Sequence, residues 1–443
     1  MEVKHKKITV IGMGRTGVAA ANFLANRGAR VTLIDQKKGP LETPAPLDAA
    51  VTALFEMSIP PADSELIVLS PGVDIQSPFL DKAHRQGIEI ISEIELAYRF
   101  NETPVIAITG TNGKTTTTTL LGKILREAGK TCVTGGNIGT PFISLVGGDS
   151  ADYVVLEVSS FQLEGVNRFR PKIAAILNLS PDHLDRHQTM AHYAALKRKI
   201  AANQNPDDFL ILNADDPQTA DLGRGLRARR IFFSTQKEVR EGAFLRHGVI
   251  TVRLNGGERE VCPVEQLQPV MQWQLENILA AATAASLAGA GATAIAKSIC
   301  AFPGLEHRME WVRNLRGIDF VNDSKGTNIG STQKSLNSFQ RPIVLILGGR
   351  DKGADFSPLS PLIKTKVKHL ILIGEAKSKI KQMLNGSTPW EEADTLETAV
   401  NRACSQAASG DVVLLSPACA SFDMFRDYED RGRQFRTLVK RLS

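Results

Sequence analysis

The chain has 443 residues, which at roughly 100–200 residues per domain points to two to four domains, with three the central expectation. Hydrophobic residues make up 42% and charged residues 23%, which excludes wholesale disorder. With 53 basic against 47 acidic residues the net charge is +6, a mild excess that suits an enzyme of anionic substrates at least as well as a nucleic-acid binder.

Apolar β-branched runs at Lys7–Ile11, Arg30–Ile34, Leu66–Leu69, Val105–Thr109, Tyr153–Leu156, Ile173–Leu177, Phe209–Leu212, Pro342–Leu347, His369–Ile373 and Asp411–Leu415 predict buried strands. Helical patterns such as Thr16–Arg27 and Thr115–Glu127 lie between them, so an α/β fold with mainly parallel sheets is expected. Polar and Pro/Gly breaks near Phe100–Pro104 and Phe302–Gly304 divide the chain into 1–100, 101–302 and 303–443. Arg240–Glu260, with its Asn255-Gly256-Gly257 turn, reads as a β-hairpin excursion from the middle domain. The clusters Arg227/Arg229/Arg230 and Lys364/Lys366/Lys368 lack interleaved aromatics and read as solvated surface, so no nucleic-acid partner is expected.

The five cysteines, Cys132, Cys262, Cys300, Cys404 and Cys419, form no Cys-x-x-Cys pair, which speaks against a zinc site and for a reducing, cytoplasmic setting. The basic start runs into too short an apolar stretch for a signal peptide. Ile278–Ala296 is too weakly hydrophobic to predict membrane insertion.

Gly12-Met13-Gly14-Arg15-Thr16-Gly17 follows a strand and opens a helix, and Asp35 ends the next strand. That spacing lets backbone approach a diphosphate, with an acid placed for a ribose; it does not distinguish NAD from FAD or a UDP-sugar. Ser70-Pro71-Gly72 follows another strand and could line the same cleft. Val105 to Thr116 is more specific: a buried strand, then Gly110-Thr111-Asn112-Gly113, then Lys114-Thr115-Thr116 opening a helix. Glycines let N–H groups converge on phosphate oxygens, Lys114 neutralises charge, and the Thr115 hydroxyl suits magnesium. Ile108 stands where the usual Walker spacing has glycine. Glu157 closes a strand where a magnesium ligand is expected, and Asn178 and Asp182-His183-Leu184-Asp185-Arg186-His187 follow another. His183 could serve a second metal. Tyr193–Ile200 reads as a helix whose lysines, locally, face solvent.

Taken in order, these segments resemble the Mur ligase family of peptidoglycan precursor synthesis. Further matching segments are Gly135–Gly139, Leu156–Glu164, Asn277 with Leu279–Ala281, His307-Arg308, Asn322–Asn328, Gly348–Gly353 and Ser416–Asp423. The resemblance implies an ATP-dependent ligase, nearest to the branch that joins D-glutamate to UDP-N-acetylmuramoyl-L-alanine through an acyl phosphate and a tetrahedral intermediate. It implies three α/β domains: a Rossmann-like UDP-sugar domain, a central ATPase-type domain and a Rossmann-like carboxy-terminal amino-acid domain. It further implies ATP contacts from Gly110 to Thr116 and from Asn277, Arg308, Asp323 and Lys325. UDP-sugar contacts would come from Gly14, Arg15, Thr16, Asp35, Gln36, Ser70, Asn137 and His183. The glutamate pocket would use Thr327, Lys352, Ser421 and Tyr428. Two magnesium ions are expected on Thr115, Glu157, His183 and a carbamylated Lys197. Lys114, Lys197, His183 and Arg308 would serve catalysis. Gly326 stands where the family commonly has Ala, which would loosen its loop. A monomer is expected. The alternatives are another amino-acid-adding ligase of the family or, from a different class, an NAD-dependent dehydrogenase using the Gly12 turn.

Overall fold

The computed structural model describes residues 1–37, 46–351, 353–384 and 386–443; Lys352 falls outside them. The described residues form two compact units: Met1–Leu179 with Ala191–Gln266 and Leu275–Cys300, and Ser180–Met190 with Leu267–Gln274 and Ala301–Ser443.

The first unit holds two sheets. One has five parallel strands in the order Thr52–Leu54, Arg30–Ile34, Lys7–Ile11, Leu66–Leu69, Glu89–Ser92. Chain order reverses between Lys7–Ile11 and Leu66–Leu69, and open parallel sheets bind ligands outside the carboxyl ends at such a point. The Gly12–Gly17 and Ser70–Gly72 turns leave those two strands.

The other sheet has nine strands, ordered Gly257–Pro263, Val249–Leu254, Gly242–Arg246, Arg229–Ser234, Phe209–Asn213, Ile173–Ile176, Val105–Thr109, Tyr153–Glu157, Cys132–Gly136. Val105–Thr109 is buried at all five positions, as a near-continuous apolar run under two helical layers requires. The expected hairpin is present, Val249–Leu254 pairing antiparallel with Gly257–Pro263 across Asn255-Gly256, and it continues this sheet because Gly242–Arg246 pairs parallel with Arg229–Ser234. It contains two tight turns: Asn255-Gly256 with φ 51° and 78°, and His247-Gly248 with φ 47° and 78°. Both have the positive-φ pairs that match hairpin twist.

The second unit holds a six-stranded sheet ordered Glu310–Leu315, Ile318–Asn322, Val412–Leu415, Ile343–Gly348, Val367–Ile373, Trp390–Glu392; the first pair is antiparallel and the rest parallel. Phe320, Val344, Ile346, Val413, Leu415, Phe435 and Val439 fill its core. Among the described residues, no helix is long and apolar enough to cross a membrane.

Candidate active site

Val105–Thr109 lies where the nine-stranded sheet reverses chain order, flanked by Tyr153–Glu157 and Ile173–Ile176. Its carboxyl end turns through Gly110 and through Gly113, at φ +86°, into the helix Lys114–Glu127. A methyl group on Gly113 would sit 2.0 Å from Asn277 Oδ1, so glycine lets Asn277 abut the loop. Asn178 clamps the loop's middle: the Asn112 N–H donates to its Oδ1 (2.9 Å), its Nδ2 donates to Asn112 O (3.1 Å), and its own carbonyl accepts from Thr111 N–H (3.0 Å). Lys114 Nζ donates to Gly110 O and Thr111 O, both at 2.9 Å, which holds its ammonium over the loop. The first helical turn leaves N–H groups aimed the same way, and the combination is an anion cradle.

Beside it stands Glu157, 2% exposed. Oε1 accepts from Asn137 Nδ2 at 2.8 Å, while Oε2 is buried with no hydrogen-bond partner among the described residues. A buried carboxylate oxygen left open is costly unless a cation completes it, so Glu157 fits a magnesium ligand. Among the described residues no group of three or more His, Cys, Asp or Glu makes a ready metal cluster. Magnesium tolerates this because it keeps several waters and takes few protein ligands.

Lys197 is only 1% exposed, contrary to its local sequence reading. Tyr193, Leu196 and Lys197 share the buried face of the helix Met190–Arg198. Lys197 Nζ donates to Gly110 O (2.9 Å), reaches Thr109 Oγ1 (3.5 Å) and lies 4.5 Å from the Tyr193 ring centre. The Tyr193 hydroxyl in turn meets Thr111 Oγ1 at 3.3 Å. The neighbouring Lys199 instead donates to Glu164 O at 2.8 Å. Thus Lys197, not Lys199, lies under the phosphate loop.

In the five-stranded sheet, Gly12 has φ +100°, and a Cβ on Gly17 would lie 1.8 Å from Gly12 O. Ser70 Oγ donates to Gly12 O (2.9 Å), closing the crevice's two sides together. Asp35 braces this turn, its Oδ2 accepting from Met13 N–H (2.7 Å) and its Oδ1 from Lys37 N–H (3.0 Å). Gly14 and Thr16 are partly exposed at the helix start, and Gln36 is exposed. Arg15 Nη1 donates to Gly139 O at 2.7 Å, which brings this turn to the loop carrying Asn137.

The second unit gathers Arg308, Asp323 and Lys325. Met309 N–H donates to Asp323 Oδ1 (3.3 Å) and Lys325 N–H to His307 O (3.0 Å), so Arg308 is held beside the turn that follows Ile318–Asn322. Burial pushes the Asp323 carboxyl up to about 6, against the pull of the Ser335 and Ser416 hydroxyls at 2.6 and 2.9 Å. A Cβ on Gly326 would fall 2.5 Å from Asp323 Oδ2, so glycine here answers close packing; the expected loosening does not follow. Lys325 Nζ sits 3.6 Å from the centre of the Tyr428 ring. Thr327 N–H donates to Lys325 O (2.8 Å), and Ser421 is buried. His183 has φ +53° and starts the helix Leu184–His187; Asp182 beside it accepts from Asn328 Nδ2 at 2.9 Å.

Sequence reasoning passed over Arg431, which is fully buried. Burial lowers its pKa to about 10. Its guanidinium donates to Ser324 Oγ (2.9 Å), Ser324 O (2.8 Å) and Cys419 O (3.3 Å), tying the Asp323 turn to the Ser416–Ser421 loop. The available signal was the stripe Arg431, Phe435, Val439 at four-residue spacing on the helix Tyr428–Arg441. Arg431→Lys keeps the charge but loses the fork, and should cost about 2 kcal/mol in denaturant unfolding.

Three family models match successive parts of the chain. They are the Mur ligase MurD-like N-terminal domain (residues 6–92), the Mur ligase middle domain (108–285) and the Mur ligase glutamate ligase domain (307–419). The chain is 46% identical over 448 residues to a UDP-N-acetylmuramoylalanine–D-glutamate ligase of Geobacter metallireducens, covering 100% of this chain and 99% of that one. It is 45% identical over 451 residues to the enzyme of the same name from Koribacter versatilis, again covering 100% and 99%. A solved structure of the MurF ligase of Thermotoga maritima in complex with ADP shares the fold, with a TM-score of 0.61 at 16% identity over 100% of this chain and 97% of that one.

Proposed function

The chain belongs to the Mur ligase family, and we propose from that premise how its residues add D-glutamate to the alanine carboxylate of UDP-N-acetylmuramoyl-L-alanine in peptidoglycan precursor synthesis. The reaction is an ATP-dependent, ADP-forming acid–amino-acid ligation. One observation carries the assignment of residues: Lys114 and Lys197 both donate to Gly110 O beside a Glu157 oxygen left open.

Joining a carboxylate to an amine in water is uphill, so the carboxylate first attacks the γ-phosphorus and ADP departs. The acyl phosphate then takes the D-glutamate amine; the tetrahedral intermediate expels phosphate, and the nitrogen gives up its extra proton. Crowded anions need cations throughout. Gly110 to Thr116 and Asn277 hold the triphosphate, with Lys114 neutralising it. Arg308, Asp323 and Lys325 are the further ATP contacts of this reading. Thr115 and Glu157 would hold one magnesium ion, and His183 would serve another, with a Lys197 carbamate adding negative charge. Bound there, magnesium lowers the repulsion between the two reacting anions.

Gly14, Arg15, Thr16, Asp35, Gln36, Ser70, Asn137 and His183 take the UDP-sugar, and Thr327, Lys352, Ser421 and Tyr428 take D-glutamate. The working division is 1–100 for the UDP-sugar, 101–302 for ATP and 303–443 for the amino acid. The chain works as a monomer in the cytoplasm, where its five cysteines stay as thiols. The test is ADP release with UDP-N-acetylmuramoyl-L-alanine and a panel of amino acids. Turnover is expected with D-glutamate. Turnover with another amino acid instead would move the chain to a different branch, and ATP-independent activity with NADH would favour a dehydrogenase.

A further inference from the structure

The helix Glu93–Phe100 opens with a carboxylate in an unusual place. Glu93 is 1% exposed. Its Oε1 accepts from Ile143 N–H at 2.7 Å, the Phe142 N–H also bears on it, and its Oε2 is buried with no hydrogen-bond partner among the described residues. Both donors belong to the 3₁₀ turn Phe142–Leu145. That turn ends the segment that begins at Asn137. At the segment's start, Gly136 N–H donates to Thr140 O (2.8 Å) and Asn137 Nδ2 holds Glu157 Oε1 (2.8 Å); Arg15 Nη1 grips Gly139 O (2.7 Å). Glu93 therefore fixes the far end of the loop whose near end orients Glu157.

We infer that Glu93 is a positioning residue for the ligase reaction: through the amides of Phe142 and Ile143 it holds the Asn137–Thr140 loop in register with Glu157 and Arg15. The inference rests on the ligase reading above. The phosphate loop is held separately by Asn178, and Glu157 keeps its place at the end of the strand Tyr153–Glu157, so ATP binding should feel a change at Glu93 less than UDP-sugar binding does.

Protonation matters to this hold. Burial pushes the Glu93 carboxyl up to about 7, well above its ordinary value of 4.5. The elements packed against its helix are Arg15–Ala25, Leu66–Leu69, Glu89–Ser92, Ser160–Glu164 and the 3₁₀ turn. Their charged groups are Arg15, Glu89 and Glu164. Arg15 is engaged with Gly139 and Glu89 with Arg99, and none of the three partners the Glu93 carboxyl. A carboxyl raised in the fold adds stability that is complete below its unfolded value and is lost as pH rises through the folded one. The two amides favour the ionised carboxylate, but the cost of burying that charge outweighs them, so the loop stays closed in mild acid and opens to hydrate the charge above neutrality.

The experiment compares the full-length wild-type chain with Glu93→Gln and Glu93→Ala from about pH 6 to about pH 9, by steady-state kinetics and amide hydrogen exchange. Glu93→Ala should raise KM for UDP-N-acetylmuramoyl-L-alanine about tenfold, with KM for ATP moved less than about twofold, and should speed exchange at Phe142–Leu145. Glu93→Gln should keep wild-type constants at the acid end and lose the alkaline rise in KM and in exchange. Wild-type constants and exchange in Glu93→Ala, equal shifts in both KM values, or an unaltered alkaline limb in Glu93→Gln would overturn the inference. If Glu93→Ala fails to fold, the Gln variant and the pH dependence of wild-type exchange decide. Exchange needs no turnover, so failure of the wild type to use D-glutamate would count against the ligase reading alone.

Discussion

Lys114→Ala is expected to lower ATP-dependent ADP release on the order of 10³-fold, the scale on which removing one preorganised charge stabiliser slows a transfer reaction. The ammonium is held by two carbonyls of the phosphate loop, Gly110 O and Thr111 O, which on the proposed ATP site sets it where γ-phosphate charge would develop. Its loss should leave the fold nearly intact, costing about 1 kcal/mol for the donors withdrawn from those carbonyls. ADP-release rates alongside a thermal melt check both statements. An unchanged rate would remove Lys114 from the triphosphate.

Lys197→Ala should be as damaging, again on the order of 10³-fold, but for a different reason and with a different remedy. Truncation empties a buried slot bounded by Gly110 O, Thr109 Oγ1 and the Tyr193 ring. A short carboxylic acid such as acetate can enter such a slot and replace the negative group of the proposed carbamate, so activity should return in part as acid is added. Lys199→Ala is the control: its ammonium serves Glu164 O, and near-normal turnover is expected. Full activity of Lys197→Ala without added acid would rule out the carbamate; the added mass of CO₂ on an intact wild-type peptide would support it.

Much of this site could be read from the chain because its backbone features are local. A strand, a glycine turn and Lys-Thr are consecutive, and the structure places all of them within Val105–Thr115 as expected. The ten strands read from apolar runs are present, with ends shifted by at most two residues. Thr52–Leu54 and Trp390–Glu392 escaped notice because each is a three-residue edge strand with half-buried or exposed side chains and no apolar run to reveal it. Gly242–Arg246 lies inside the expected hairpin, but its parallel partner Arg229–Ser234 lies across a connection no short pattern encodes. Lys197 and Arg431 were misread or missed for one shared reason. A charged residue on an apolar helical stripe looks like surface until the stripe is counted, and Tyr193, Leu196, Lys197 and Ile200 do form one. Glu93 and Glu95 belong to the same class, acids set among Ile94, Leu96 and Ala97 in a segment buried on every side.

Glu95 has a practical implication for anyone dissecting the protein. Its carboxylate takes the backbone N–H groups of Asn167, Arg168 and Phe169 at 2.9–3.0 Å, and Arg99 completes it at 2.9 Å. Those amides come from some seventy residues downstream. An expression fragment stopped at the first sheet would strip the carboxylate of three of its donors and lay bare the apolar surface around it. Such a piece should precipitate, and a workable truncation has to run beyond Phe169.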